Sequence, residues 1–139
     1  MTELNETHTK QLKKLCADAY ERYDCGDFKA ALRLFYQAWV GLPKPQTDYR
    51  ESGWVLTGIG DTYFRLGQYP QACEALGSAL HCPGMENNPF VLLRLGQAHF
   101  DNQEKPLGRK YLLKAHQQGG QATFNNEHPC YLQAITDLI

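Results

Sequence analysis

No apolar run in this chain approaches the roughly 20 residues that a membrane-spanning helix needs. The amino terminus, Met1-Thr2-Glu3-Leu4-Asn5-Glu6, lacks the basic start and apolar stretch of a secretory leader, so a cytoplasmic protein is expected. Excess charge is missing as well. With 14 Lys and Arg against 15 Asp and Glu, the net charge is −1, too weak a field to recruit nucleic acid or an anionic membrane. The five cysteines, Cys16, Cys25, Cys73, Cys82 and Cys130, are odd in number and form no Cys-x-x-Cys pair. Reduced thiols are therefore expected rather than a disulfide framework. There is no phosphate-cradling glycine loop and no nucleophile elbow. His8, His116 and His128 have no Cys or carboxylate at metal-ligand spacing. His81 and Cys82 are adjacent, and neighbours on a helix diverge by about 100°. These absences argue against an enzyme and imply neither cofactor nor metal. A Cys–His dyad assembled by folding is the one alternative they leave open.

What the chain does have is a pattern that returns. Gly26-Asp27-Phe28, Ala31-Leu32, Phe35 and Ala38 recur 41 residues later as Gly67-Gln68-Tyr69, Ala72-Cys73, Leu76 and Ala79. A third copy follows at an offset of 36, pairing Gly60 with Gly96, Phe64 with Phe100, Leu76 with Leu112 and Ala79 with Ala115. The small residues Ala19, Gly60 and Gly96 fall in mid-helix, where glycine costs about 1 kcal/mol relative to alanine. That cost is understandable where a second helix passes close. Ala31, Ala72 and Gly108 serve the same end on the partner helix, and Phe35, Leu76 and Leu112 fill the space between units. Gly26 and Gly67 suit a left-handed helix C-terminus, and in the third unit Gln103 replaces that glycine.

Seven helices are predicted, over about 6–25, 28–41, 49–66, 70–82, 88–101, 105–118 and 129–139, with no strand. Asn88-Pro89 is a strong start signal, the Asn capping and the Pro in the first turn. The seven extra residues around Leu42-Pro43-Lys44-Pro45-Gln46-Thr47-Asp48 break the chain between units, and Asp48-Tyr49-Arg50-Glu51 reads as a capping box restarting it. The final helix, with Leu132, Ile135 and Leu138 on one side, is expected to cap the open end, since a terminal repeat otherwise exposes an apolar face.

The middle unit, with Leu56, Ile59-Gly60, Tyr63, Gly67, Tyr69, Ala72, Leu76, Ala79 and Pro83, resembles the tetratricopeptide repeat (TPR) pattern of a helix–turn–helix. The resemblance implies an all-α TPR solenoid: a single domain over 1–139 with repeats at about 12–43, 53–84 and 89–120 and a capping helix at about 129–139. His99 falls in a tyrosine slot of that pattern and is expected to be packed or hydrogen-bonded.

In TPR proteins the first helix of each pair lines a concave surface. The resemblance thus places Lys13, Cys16, Tyr20, Tyr23 and Asp24 on that surface in the first unit. Trp54, Thr57, Asp61, Phe64 and Arg65 follow in the second, and Phe90, Leu93, Gln97, Phe100 and Asp101 in the third. The candidate partner-binding residues are Tyr20, Tyr23, Trp54, Asp61, Phe64, Arg65, Phe90, Gln97 and Phe100. Aromatic and Arg side chains dominate binding hot spots, and an aromatic groove accepts a helix or an extended peptide. Tyr23, Phe64 and Phe100 lie beside the turn, where packing competes with binding, and the chain's own termini are another possible occupant. TPR domains that hold chaperone C-termini clamp carboxylates with Lys and Asn, but Cys16, Tyr20 and Thr57 stand at matching positions here, so that use is not expected. The expected function is binding of another protein or peptide, as a chaperone or as a neutralising, immunity-type partner of a secreted protein. A self-associating homo-oligomeric scaffold is the alternative. The insert after the first unit departs from the tighter spacing of secretion chaperones. The basic run Lys105, Arg109, Lys110 and Lys114 is expected to be a solvated face.

Overall fold

The computed structural model describes residues 3–139, which form seven α-helices and no strand. They are α1 (Glu6–Asp24), α2 (Phe28–Val40), α3 (Arg50–Arg65), α4 (Tyr69–Leu80), α5 (Pro89–Asp101), α6 (Lys105–Gly119) and α7 (Pro129–Gln133). Each of the first five packs on the next in chain order, while α1 also touches α3 and α3 touches α5. The first helices of the three pairs thereby share one side of the stack.

Local chemistry starts and ends these helices. Asn5 accepts from the His8 amide at 2.8 Å, Asp27 from Ala30 at 3.2 Å, and Asn88 from Phe90 and Val91 at 3.0 and 3.2 Å. These bonds satisfy amides that a helix start leaves without an internal partner. After α1 and α3 the chain turns through Gly26 and Gly67 at φ 83° and 73°. The third unit makes the same turn at Gln103, φ 65°, where a side chain is strained.

The core is layered between units. Phe35, Val55 and Ile59 fill the first interface, Leu56, Leu76, Val91 and Leu95 the second, and Leu92, Leu112, Phe124, Tyr131 and Ile135 the third. Each such side chain, fully buried, contributes about 1.5–3 kcal/mol. The small residues permit the approach. A Cβ on Gly96 would come within 2.8 Å of the Leu112 backbone nitrogen, and one on Gly108 within 2.7 Å of that of Phe100.

Three sequence expectations need correction. The capping box does not form: Tyr49 is the N-cap of α3 and makes no side-chain cap bond, while Asp48 ends a 3₁₀ turn, Gln46–Asp48. That turn is anchored differently, with Gln46 Nε2 donating to the Trp39 carbonyl at 2.7 Å and the Ser52 hydroxyl donating to the Gln46 carbonyl. The terminal helix is also shorter than expected. It stops at Gln133 and is followed by a 3₁₀ turn, Thr136–Leu138. Arg109 takes the Ala134 carbonyl at 2.9 Å and both Asp137 oxygens at 2.6 and 2.8 Å, so the chain bends toward α6. Helical periodicity lapses with that bend, which buries Ile135 and leaves Leu138 exposed. The basic run is accordingly not wholly solvated. Arg109 is an anchor, and Lys110 and Lys114 lie over the Tyr111 ring at 5.5 and 5.8 Å.

Candidate functional site

A buried polar network crosses the concave side and joins all three units to the C-terminal segment. Arg94, at 4% exposure, is its centre. Its Nε donates to Asp61 Oδ1 at 2.8 Å, and its Nη1 donates to Gln97 Oε1 at 2.7 Å and Glu127 Oε1 at 2.6 Å. Gln97 Nε2 donates to Glu127 Oε1 at 2.8 Å. On the far side, the Tyr23 hydroxyl donates to Asp61 at 2.8 Å and accepts from Arg65 Nε at 2.7 Å. Arg94 also lies over the rings of Phe90 and Phe64, at 5.0 and 5.3 Å.

The electrostatics are self-consistent. Burial works against the charge on Arg94, but the Asp61 and Glu127 carboxylates outweigh it and raise its pKa above the ordinary arginine value. Burial would raise the Glu127 pKa too, yet the hydrogen bond from Gln97 and the Arg94 charge hold it below the usual carboxylate range. Among the described residues, no buried side-chain nitrogen or oxygen lacks a hydrogen-bond partner. Its bonds run between its own members, with Asp61 Oδ1 and Glu127 Oε1 each taking two donors.

Beside it the concave face stays open. A cleft of about 310 Å³ is lined by Leu12, Lys13, Cys16 and Tyr20 of α1, Trp54 and Thr57 of α3, and Phe90 and Val91 of α5, with Met85 and Asn88 at its edge. Trp54 and Phe90 are 39% and 38% exposed, unusual for rings of that size. Tyr20 is more settled, packed edge-on against Phe35 at 5.0 Å between centroids. Burial pushes the Cys16 thiol up to about 11, so this wall stays neutral at ordinary pH. Among the described residues Lys13 is the one charged residue lining the cleft, and Arg50 sits over the Trp54 ring at 5.9 Å. The volume lies at the low end of ligand pockets, which run from about 300 to 1,000 Å³.

The candidate residues therefore divide. Tyr20, Trp54 and Phe90 meet in the cleft. Asp61 and Gln97 are buried in the network, with Tyr23 and Arg65 at its edge. Phe64 packs against Tyr69 at 5.8 Å, and Phe100 packs edge-on against Tyr131 at 6.1 Å. Tyr131 donates to Asp101 at 2.6 Å, so the C-terminal segment itself covers the end of the inner stripe. Sequence reasoning missed Arg94 and Glu127. Arg94 had a signal, an arginine inside the apolar run Val91-Leu92-Leu93-Arg94-Leu95. Glu127 had none, since it lies in a loop and reaches the network only through the fold. His99 is half-buried, its ring stacked on Tyr111 at 5.7 Å between centroids. Cys73 Sγ lies 3.5 Å from its Nδ1.

Helix pairs stacked with their first helices on one concave side define a TPR-like fold. Solved structures that share it include two of one chaperone. One is the Yersinia enterocolitica type III secretion chaperone SycD in complex with a peptide of the translocator YopD, with a TM-score of 0.73, 17% identity, and 94% of both chains covered. The other is the Yersinia enterocolitica type III secretion translocator chaperone SycD, with a TM-score of 0.67, 16% identity, 94% of this chain and 89% of that one. At such identities the likeness speaks for the fold. It also corrects one expectation, because an alignment through 94% of both chains means the insert after the first unit is no bar to a secretion-chaperone fold. No protein-family model and no curated protein matches the sequence. Among the described residues, no helix is long and apolar enough to cross a membrane.

Proposed function

We propose that this chain is a non-enzymatic peptide-binding module of chaperone type, holding a segment of another protein in the cleft between α1, α3 and α5. The carrying observation is the pair of exposed rings, Trp54 and Phe90, on a face where the neighbouring Asp61, Arg94, Gln97 and Glu127 are bonded to one another. Large rings left in water beside a pocket are what binding hot spots are made of. Support also comes from the complex of the similarly folded SycD with a translocator peptide. The pocket suits one or two bulky apolar side chains, and Lys13 and Arg50 at its edge favour an acidic residue nearby in the ligand.

The test is selection from a displayed random peptide library against the full chain, followed by titration of enriched peptides with Trp fluorescence. Trp54→Ala and Phe90→Ala should each weaken binding by about 1–4 kcal/mol while the helical spectrum is retained. Enriched peptides that bind both variants as tightly as the parent protein would remove the cleft from consideration. A second reading, self-association, is favoured by the outer face of α2, where Val40 is 76% exposed and Tyr36 lies beside a hollow lined by Leu32 and Leu34. It predicts dimers at micromolar concentration by light scattering, and a strict monomer would count against it.

A further inference from the structure

Three departures from the repeat converge at one place. His99 stands where the second unit has Tyr63, Cys73 where the first has Leu32, and Glu104 follows Gln103 at the turn that carries glycine in the other two units. Cys73 comes from α4, His99 from α5, and Glu104 from the turn before α6. Their donor atoms gather within 4.8 Å of one another. Cys73 Sγ is 3.5 Å from His99 Nδ1, which in turn is 3.0 Å from Glu104 Oε1.

The surroundings hold these groups in position. The left-handed conformation of Gln103 turns the chain back so that the Glu104 amide donates to the His99 carbonyl at 2.9 Å. Asn102 Nδ2 donates to Glu104 Oε1 at 2.9 Å and keeps the exposed carboxylate on the His99 side. The Tyr111 ring lies 14° from parallel to the imidazole and sets its plane. Supporting contacts of this kind orient metal ligands in known sites.

We propose that Cys73, His99 and Glu104 form a binding site for a single borderline-soft divalent transition ion, with Zn²⁺ the best fit. An ion about 2.3 Å from sulfur and about 2.0–2.1 Å from nitrogen would subtend an S–metal–N angle of about 107°, close to tetrahedral. Glu104 is at the surface and has room to adjust its own angle, and a water molecule would complete four ligands. Thiolate, imidazole and carboxylate suit Zn²⁺ and not Mg²⁺ or Ca²⁺, which prefer oxygen throughout. Charge also balances, since one thiolate and one carboxylate neutralise a 2+ ion. On binding, the Cys73 S–H bond breaks, the S–metal bond forms, and the proton leaves to solvent. In the metal-free protein, burial and then the Glu104 charge push this thiol up to about 11. The ion would bridge the second and third units, so its role would be a staple across the stack. The site shares no residue with the cleft, and its fate is independent of the peptide-binding reading.

The test titrates the reduced, metal-free full chain with Co²⁺ and then Zn²⁺. The expected result is a near-ultraviolet thiolate-to-cobalt band that saturates at one equivalent, is displaced by Zn²⁺, and accompanies a rise in the thermal midpoint. Cys73→Ser should abolish the band, and His99→Tyr, which restores the repeat residue, should weaken binding by more than about tenfold. Cys16→Ser and Cys130→Ser should bind like the parent protein. Absence of the band from the folded parent, or its survival in Cys73→Ser, would overturn the proposal.

Discussion

Replacing Arg94 with Met tests whether the concave side is held together by its buried charge network. Met keeps much of the aliphatic stem but removes the donors to Asp61, Gln97 and Glu127. Asp61, at 2% exposure, would keep only the Tyr23 hydroxyl as a donor. Leaving one charge of a buried pair without its partner costs about 3–5 kcal/mol. Against a total stability of about 5–15 kcal/mol, that is roughly a fifth of the fold or more. Urea unfolding followed by the fluorescence of Trp39 and Trp54 would read it. With a slope of about 1–3 kcal/mol per molar, the midpoint should fall by roughly 2 M. The double variant Asp61→Asn/Arg94→Met separates lost charge pairing from lost packing. It removes the charge stranded on Asp61, the more buried of the two carboxylates paired with Arg94, and should recover at least half of the loss, because a buried pair exchanged for neutral groups is often nearly neutral in stability. A single variant that loses less than about 1 kcal/mol, or a double variant no better than the single, would refute this account of the network.

Other outcomes follow from the same structure. Gly96→Ala should destabilise by about 1–3 kcal/mol despite alanine's better helix propensity, because the new Cβ meets the Leu112 backbone. Gly77→Ala should stabilise by about 0.5–1 kcal/mol, since its Cβ would have nothing within 4 Å; the two are compared by urea midpoint. Gln103→Gly, at φ 65°, should stabilise by about 1 kcal/mol, read as a higher thermal midpoint, and a fall would mean that the turn is held by the Gln side chain. Glu127 has a folded pKa below its ordinary 4.5, so its contribution is complete above that value and is lost as pH falls through the lower folded one. Glu127→Gln should therefore flatten the acid end of the stability–pH profile below about pH 4.5, and an unchanged profile would place the acid sensitivity elsewhere.

Helix by helix, the chain was legible where the information is local. Asn88-Pro89 predicts the start of α5, Gly26 and Gly67 the ends of α1 and α3, and the spacing of Gly60, Leu76, Gly96 and Leu112 the close crossing of paired helices. Local signals failed where distant groups compete for the same backbone. Asp48 is drawn into a turn anchored by Gln46 and Ser52, and the terminal helix yields its carbonyl at Ala134 to Arg109, 25 residues away.

The site divides along the same line. The TPR resemblance put Tyr20, Trp54 and Phe90 on one surface, because repeated helix pairs carry equivalent positions to equivalent places. It could not separate the rings that stay open from those that are covered. That depended on the segment after α6, which brings Glu127 to Arg94 and Tyr131 to Phe100 from about 30 residues away in sequence. The same holds for Cys73, His99 and Glu104, three unremarkable substitutions in a repeat until stacking sets them within 4.8 Å. By itself the sequence determined the helices, their pairing and the all-α stack, since hydrophobic period and turn chemistry act over a few residues. Only the tertiary structure decided which inner face is cleft and which is core, because burial and charge pairing depend on which distant residues are brought together.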